Sequence, residues 1–295
     1  MRILAAWLGR ALSQVIRILP PWGQRAIGGL LGLLWFDVFR IRRSVILNNL
    51  ERAFPEMSPG ERVRLGRRSC LNMGLTVVEY AFLPRLTRQQ VEREFVVEGA
   101  EHIERARRSP SGESRGVCLL TLHLGNGDLA CGALSLLGYP MVLISKEFKL
   151  KWLNDLWFGM RARLGTEFIP PRNSSYAILK ALKKSKFVTF VLDQFMGPPI
   201  GVETTFFSHP TGTALGLAVM AQRSRCPVVP VYTYRREDGK TVIRFESEIA
   251  FEEKDTAESS QAHMTQVYTD YLESVIRRHP EQWMWVHRRW KEFVR

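Results

Sequence analysis

The sequence predicts an α/β fold, a mixed sheet covered by helices on both faces, set behind a helical N-terminus. Apolar runs at 116–122, 141–145, 187–192, 228–234 and 241–248 alternate with helical patterns at 127–137, 149–164, 174–185 and 211–224. Near-continuous apolar runs of strand length are those buried on both faces, and the intervening helices supply the crossovers of a largely parallel sheet. The last two runs are separated by Glu237-Asp238-Gly239, a hairpin turn, which makes the sheet mixed.

Taken in order, residues 2–17 suit an amphipathic helix: Leu4, Trp7, Leu8, Ala11, Leu12 and Val15 recur at helical spacing while Arg10 and Arg17 lie off that stripe. No charge-free stretch of 18 residues exists there, so a clean bilayer span is not predicted, and no small-x-small cleavage site marks a secretory signal. Residues 1–50 hold seven Arg, Asp37 as the single acid, and Trp7, Trp22 and Trp35. Arg and Trp on apolar helices describe a segment in a membrane interface, though a helical hairpin packed on the core fits the same pattern. The expected division is a membrane-interfacial or single-span anchor over 1–39, then one domain over 40–295 with a helical lead-in at 40–105 and an α/β core at 115–295. Residues 41–86 read as two helices, the second opening on Ser58 as N-cap, Pro59 and a capping-box Glu61. Residues 106–115 form a polar surface loop, and a last helix runs from about 258 to 278.

The 295 residues are 45% hydrophobic and 24% charged, which excludes disordered, collagen-like and disulfide-scaffold chains. Cys70, Cys118, Cys131 and Cys226 are scattered, pointing to a reducing compartment without a disulfide framework or structural zinc. The net charge of +13 implies an anionic partner: nucleic acid, a phosphorylated small molecule or an anionic membrane surface. No nucleic acid is expected, because aromatic and basic residues do not interleave as in a sheet-based reader and no zinc or helix-turn-helix pattern is present.

The chemistry is concentrated in Thr121-Leu122-His123-Leu124-Gly125-Asn126-Gly127-Asp128. A strand runs into a His, a Gly-rich turn and then a carboxylate opening a helix; sites of open α/β sheets lie at such strand ends. On one helix His123 and Asp128 would stand about 140° apart, but Gly125 and Gly127 let the chain fold back so that the carboxylate reaches the imidazole. A carboxylate there fixes the tautomer and supports the imidazolium. G-x-S-x-G is absent, which favours direct proton abstraction from a hydroxyl over a covalent intermediate. The same residues also suit a His closing a loop beside an acidic cap.

The H-x4-D spacing after a strand resembles the glycerophospholipid acyltransferase superfamily, and the chain as a whole resembles its bacterial lipid A branch, the late (lauroyl/myristoyl-type) acyltransferases. The resemblance is carried in order by Ile41-Arg42-Arg43, Asn48-Asn49-Leu50, Ala53-Phe54-Pro55-Glu56, the His123–Asp128 block, Gly165 with Phe168-Ile169-Pro170-Pro171-Arg172, Asp193-Gln194, Phe206-Phe207 with Pro210 and Thr213, and Pro227-Val228-Val229-Pro230. It closes on the run from His279 to Lys291. The resemblance implies a glycerophosphate acyltransferase-like fold and transfer of a fatty acyl chain from acyl-carrier protein to a hydroxyl of a membrane glycolipid, a lipid A precursor of Kdo2-lipid IVA type. No cofactor is implied, since phosphopantetheine arrives on the donor. It implies His123 as general base, Asp128 as its orienting partner, and Arg172, Asn126, Asp193, Gln194 and Thr213 as substrate-binding, at the cytoplasmic face of the bacterial inner membrane. Each has a plainer reading: Arg172 as a surface residue after a Pro-Pro turn, Asp193 as a loop cap, Thr213 as a helix N-cap. His287, beside Arg288 and Arg289, is a further candidate contact for an anionic substrate.

The chain departs from the family pattern at Gly127, where an aromatic is usual, at Asp128, often Glu, at Phe195 and at Ser208. These departures leave the acyl pocket and the acceptor open: a mannosylated phosphoinositide, a lysophosphatidic acid or an aminolipid would use the same core motif. A catalytically inactive lipid-binding member is the remaining alternative, against which His123 and Asp128 both stand.

Overall fold

The computed structural model describes residues 14–16 and 18–293. Most of the helix expected over 2–17 therefore lies outside the described residues.

Helix α1 (Pro21–Leu33) runs into a π-helical turn at Leu34–Val38, followed by α2 (Arg43–Ala53) and α3 (Pro59–Glu79). The α3 start is as the sequence predicts: Ser58 and Glu61 form a reciprocal capping box and Pro59 opens the first turn. α1 lies antiparallel against α3 at backbone contact, and glycine makes this possible. A Cβ on Gly74 would sit 2.1 Å from the Gly28 carbonyl, and one on Gly32 2.5 Å from the Cys70 carbonyl. Among the described residues no helix is long and apolar enough to cross a membrane.

Two short helices, α4 (Arg88–Glu94) and α5 (Ala100–Ala106), flank β1 (Phe95–Glu98). The core then alternates: β2 (Val117–Thr121), α6 (Gly127–Leu136), β3 (Met141–Ile144), α7 (Lys151–Ala162), β4 (Glu167–Ile169), α8 (Ser175–Lys183) and β5 (Phe187–Val191). A hairpin of β6 (Gly201–Phe206) and β7 (His209–Ala214) leads to α9 (Gly216–Ser224), β8 (Val228–Arg235), β9 (Thr241–Phe245) and α10 (Ala257–Arg278).

Seven strands form one sheet in the order β1-β9-β8-β2-β5-β3-β4, with β6 and β7 separate. Pairing is parallel except for the β8–β9 hairpin, so the sheet is mixed as predicted. Alternate strand residues enter two apolar clusters. Cys118, Leu120, Val188 and Phe190 face α2, α3, α9 and α10, whereas Val117, Leu119, Met141 and Phe187 face α4, α5 and α6. Both faces are thus covered by helices.

The structure corrects several element readings. β1 and β4 are short strands within stretches read as helix or loop. The helix expected over 211–224 begins only at Gly216, and Thr213 lies within β7 rather than at a helix start. The β6–β7 turn escapes sequence reading because Phe207 (φ 50°) and Ser208 (φ 61°) occupy left-handed conformations that such turns usually give to Asn-Gly. Packing holds Phe207 there: its ring meets Phe54, Trp285 and Trp290, and its N–H donates to Glu273.

Candidate active site

The carboxyl ends of β2, β5, β3 and β4 share one edge of the sheet, and His123 leaves β2 there. Its Nδ1 lies 2.8 Å from Oδ1 of Asp193, two residues past the end of β5, and its backbone N–H donates to the other carboxylate oxygen at 2.9 Å. Trp283 Nε1 donates to that same oxygen at 2.7 Å. Asp193 is 1% exposed, whereas the His123 side chain is 37% exposed, so the carboxylate is enclosed and the ring opens outward.

The carboxylate on the imidazole is therefore Asp193, and the expectation that Asp128 reaches the ring is corrected. Gly125 (φ 57°) turns the chain against β8, where a Cβ would sit 2.6 Å from the Thr233 carbonyl. That path opens α6 with Asn126 as its N-cap, accepting from Leu129 N–H. Asp128, in the first turn of α6, pairs with Arg161 of α7 and accepts from the Tyr80 hydroxyl at 3.3 Å. The guanidinium of Arg161 also lies over the rings of Trp157, Phe158 and Phe168. Asp128 acts on His123 through space only.

Charge sets the protonation states. Burial disfavours the His123 imidazolium, but the charge and hydrogen bond of Asp193 outweigh it, and Asp128 adds to them, so the pKa lies above its ordinary 6.5. Burial likewise opposes the Asp193 charge, yet His123 and the Trp283 donor hold that carboxyl far below its ordinary range. His287 goes the other way: burial and the neighbouring His123 lower its pKa, favouring a neutral ring.

Gln194 sits between the two histidines. Its Nε2 is 2.9 Å from His287 Nε2 and within 3.4 Å of both His123 nitrogens. The backbone carbonyl of Gln194 accepts from Arg289, a fully buried cation that also donates to the Gly212 carbonyl and to Thr213 Oγ1. Burial pulls the Arg289 pKa down to about 10. Thr213 is fully buried in this network, bonded also to Thr204. Asn126, likewise buried, donates to Glu79, itself held by Arg235. Arg172 is exposed on the turn after β4, three strands from β2, or about 14 Å at ordinary strand spacing.

The structure thus brings His123, Asp193, Gln194 and His287 together, places Asp128 beside them, and leaves Asn126 and Thr213 in the supporting scaffold. Trp283, Arg289 and Arg161 carry direct contacts that sequence reasoning missed. Trp283 and Arg289 stood within the closing His279–Lys291 run, whose function becomes visible only in three dimensions. That run pairs with the edge of the site at Leu124–Trp283 and is fastened to α2 and α3 by Asn49 and Ser69, which donate to the Trp285, His287 and Trp283 carbonyls. Among the described residues no group of His, Cys, Asp and Glu is arranged to hold a metal ion.

An enclosed carboxylate gripping one nitrogen of an outward-facing imidazole, at the carboxyl edge of an α/β sheet, is an arrangement that can take up and return a proton. Known proteins give that chemistry a class. A lipid A biosynthesis lauroyltransferase of Escherichia coli (strain K12) is 28% identical over 295 residues, spanning 98% of this chain and 92% of that protein. A lipid A biosynthesis palmitoleoyltransferase of the same strain is 26% identical over 292 residues, with the same coverage. A lipid A biosynthesis acyltransferase of Haemophilus influenzae is 23% identical over 283 residues, spanning 95% of this chain and 85% of that protein. The family model for bacterial lipid A biosynthesis acyltransferases matches residues 1–292, and the chain belongs to that family. It is an acyltransferase.

Proposed function

We propose that the protein transfers a fatty acyl chain from acyl-carrier protein to a hydroxyl of a lipid A precursor of the Kdo2-lipid IVA type, by direct attack with His123 as base. The observation that carries this reading is the His123–Asp193 pair, its ring facing outward, in a chain related over its whole length to lipid A acyltransferases. With Nδ1–H donated to Asp193, Nε2 holds a lone pair for the acceptor hydroxyl. As that proton moves to Nε2, the hydroxyl oxygen bonds to the thioester carbonyl carbon. The tetrahedral centre then expels the donor's phosphopantetheine sulfur as the C–S bond breaks, and the imidazolium returns its proton to the thiolate. No cofactor of the protein's own takes part.

Gln194 has two amide hydrogens. One is engaged by neutral His287 and the other meets His123 Nε2 at 3.3 Å, a contact that the incoming acceptor hydroxyl replaces, freeing that hydrogen for the developing oxyanion. Arg172 is too distant for the reacting bond but within the span of a phosphorylated disaccharide, and we assign it to an acceptor phosphate. Asp128 supports the imidazolium through space and holds Arg161 against the site. The exposed apolar side chains of α1 and its π-helical turn, with Arg40, Arg42 and Arg43 beside them, support a place on the cytoplasmic face of the inner membrane.

The test is a mass-resolved transfer assay with purified protein in detergent, mixed acyl-carrier-protein donors and Kdo2-lipid IVA, run beside His123→Ala. The expected result is a gain of one acyl chain by the wild type alone. Transfer instead to a lysophospholipid or another glycolipid would keep the chemistry and replace the acceptor; equal transfer by both proteins would overturn the base assignment.

A further inference from the structure

We propose that residues 146–152 are a second lipid-contacting surface, separate from the N-terminal helices, that seats the mouth of the site on an anionic bilayer. The inference rests on the reading that the acceptor is a membrane lipid. The segment Lys146-Glu147-Phe148-Lys149-Leu150-Lys151-Trp152 leaves the carboxyl end of β3 and enters α7, and every residue of it is exposed. Phe148 is 43%, Leu150 57% and Trp152 36% exposed. Three large apolar side chains within five residues, each solvated at a cost and interleaved with lysine, have no use on a surface that meets only water. At a bilayer they do: Leu and Phe enter the acyl boundary, Trp sits at headgroup depth, and the lysines reach the lipid phosphates along their aliphatic stems. Among the described residues none of these three lysines forms an ion pair, whereas Arg277 and Arg278 on α10 are paired with Glu273 and Glu246.

Position ties the segment to both the membrane-seeking helix and the chemistry. β3 lies two strands from β2, so the segment emerges about 10 Å across the same edge as His123. α1 runs antiparallel to α3 with Gly28 beside Gly74 and Leu75, which brings Trp22, 74% exposed, level with Tyr80 at the end of α3. Tyr80 then meets the Trp157 ring at 4.7 Å, and Trp157 meets Phe148 at 6.0 Å. One chain of aromatic contacts thus joins the end of the α1–α3 pair to the segment. α7, which continues from it, delivers Arg161 to Asp128 five residues past the base. A surface that binds here holds the site opening against the plane where a lipid headgroup lies.

The experiment uses the full chain with Leu150→Cys carrying an environment-sensitive fluorophore; identically treated wild type, whose own cysteines are largely buried, is the blank. Vesicles of phosphatidylglycerol with phosphatidylcholine are expected to shift the emission to the blue, and brominated acyl chains to quench it. Lys146→Glu/Lys149→Glu/Lys151→Glu is expected to weaken binding to those vesicles on the order of a hundredfold and to leave phosphatidylcholine vesicles nearly unaffected. Transfer in detergent is expected to stay at the wild-type rate. Co-flotation of the labelled protein without a blue shift would overturn the proposal, as would a shift produced by acyl-carrier protein and not by vesicles. Failure of the wild type to acylate the lipid A precursor in detergent, with insertion intact, would strike the acceptor reading instead and leave the surface standing.

Discussion

Two carboxylates flank the exit of β2, and their partners divide their work. Asp193 meets a titratable ring, a backbone N–H and an indole N–H, all in one enclosed place. Asp128 meets the guanidinium of Arg161, whose side chain is 5% exposed, and the hydroxyl of Tyr80. A guanidinium keeps its proton throughout any physiological cycle, so the Asp128 pair fixes an element in place. An imidazole gains and loses its proton near neutrality, so the Asp193 pair can take part in each turnover. The lesson is that the carboxylate nearest a histidine in sequence need not be the one on its ring.

The largest expected effect is at the proposed base. His123→Ala should lower transfer by about 10⁴-fold, and it should lower the melting temperature as well, because it leaves the enclosed Asp193 carboxylate without its ring partner; a wild-type rate would break the whole comparison. Asp193→Asn should follow, at roughly 10³-fold. Its carbonyl oxygen can still accept from Trp283 and the His123 backbone, but its amide then donates to Nδ1 and leaves the proton on Nε2, the wrong nitrogen for a base.

The same pair has a pH signature. With His123 as the proposed base, activity needs a neutral ring, so the acid limb of kcat/KM should lie above pH 6.5, and Asp193→Asn should move it downward by removing the charge that raises it. The stability linked to His123 has the opposite sense: it is fully present below pH 6.5 and is lost as pH rises through the higher folded value. A limb below 6.5 in the wild type would show that Asp193 does not act on the ring in solution.

A double-mutant cycle sharpens the contrast. Asp128→Asn and Arg161→Met should couple by about 1–3 kcal/mol in unfolding free energy, because either alone leaves a mostly buried charge unpaired. Asp193→Asn and Arg161→Met should be additive to within about 0.5 kcal/mol. Strong coupling in the second cycle would merge the two carboxylates into one network. The smallest effect is expected at Arg172, where Arg172→Ala should raise KM for the acceptor by several-fold with kcat nearly unchanged. A large fall in kcat would bring that exposed turn much closer to the reacting bond.

Much of the core was legible because buried parallel strands carry no polar alternation. VCLLT, MVLI and FVTFV can hide only between two helical layers, and the Ser58–Glu61 box announces its helix locally. β1 and β4 were not legible, being three or four residues long and fixed only by pairing with β9 and β3. The Phe207-Ser208 turn was not legible either, since nothing local favours left-handed backbone at a phenylalanine; the aromatic cluster around it supplies the reason. Thr213 read as a cap because its neighbours are helix-compatible, whereas its hydroxyl belongs to the Arg289 network.

By itself the sequence determined the layered α/β architecture, the strand-end position of His123 and the family, because apolar period and ordered motifs are properties of the chain read in one dimension. Only the tertiary structure decided which carboxylate serves the imidazole. Asp193 is 70 residues from His123 and Trp283 a further 90, and no local pattern relates the three. They meet because β2 and β5 are neighbours in the sheet and the closing segment folds back over both, enclosing the carboxylate while leaving the ring open.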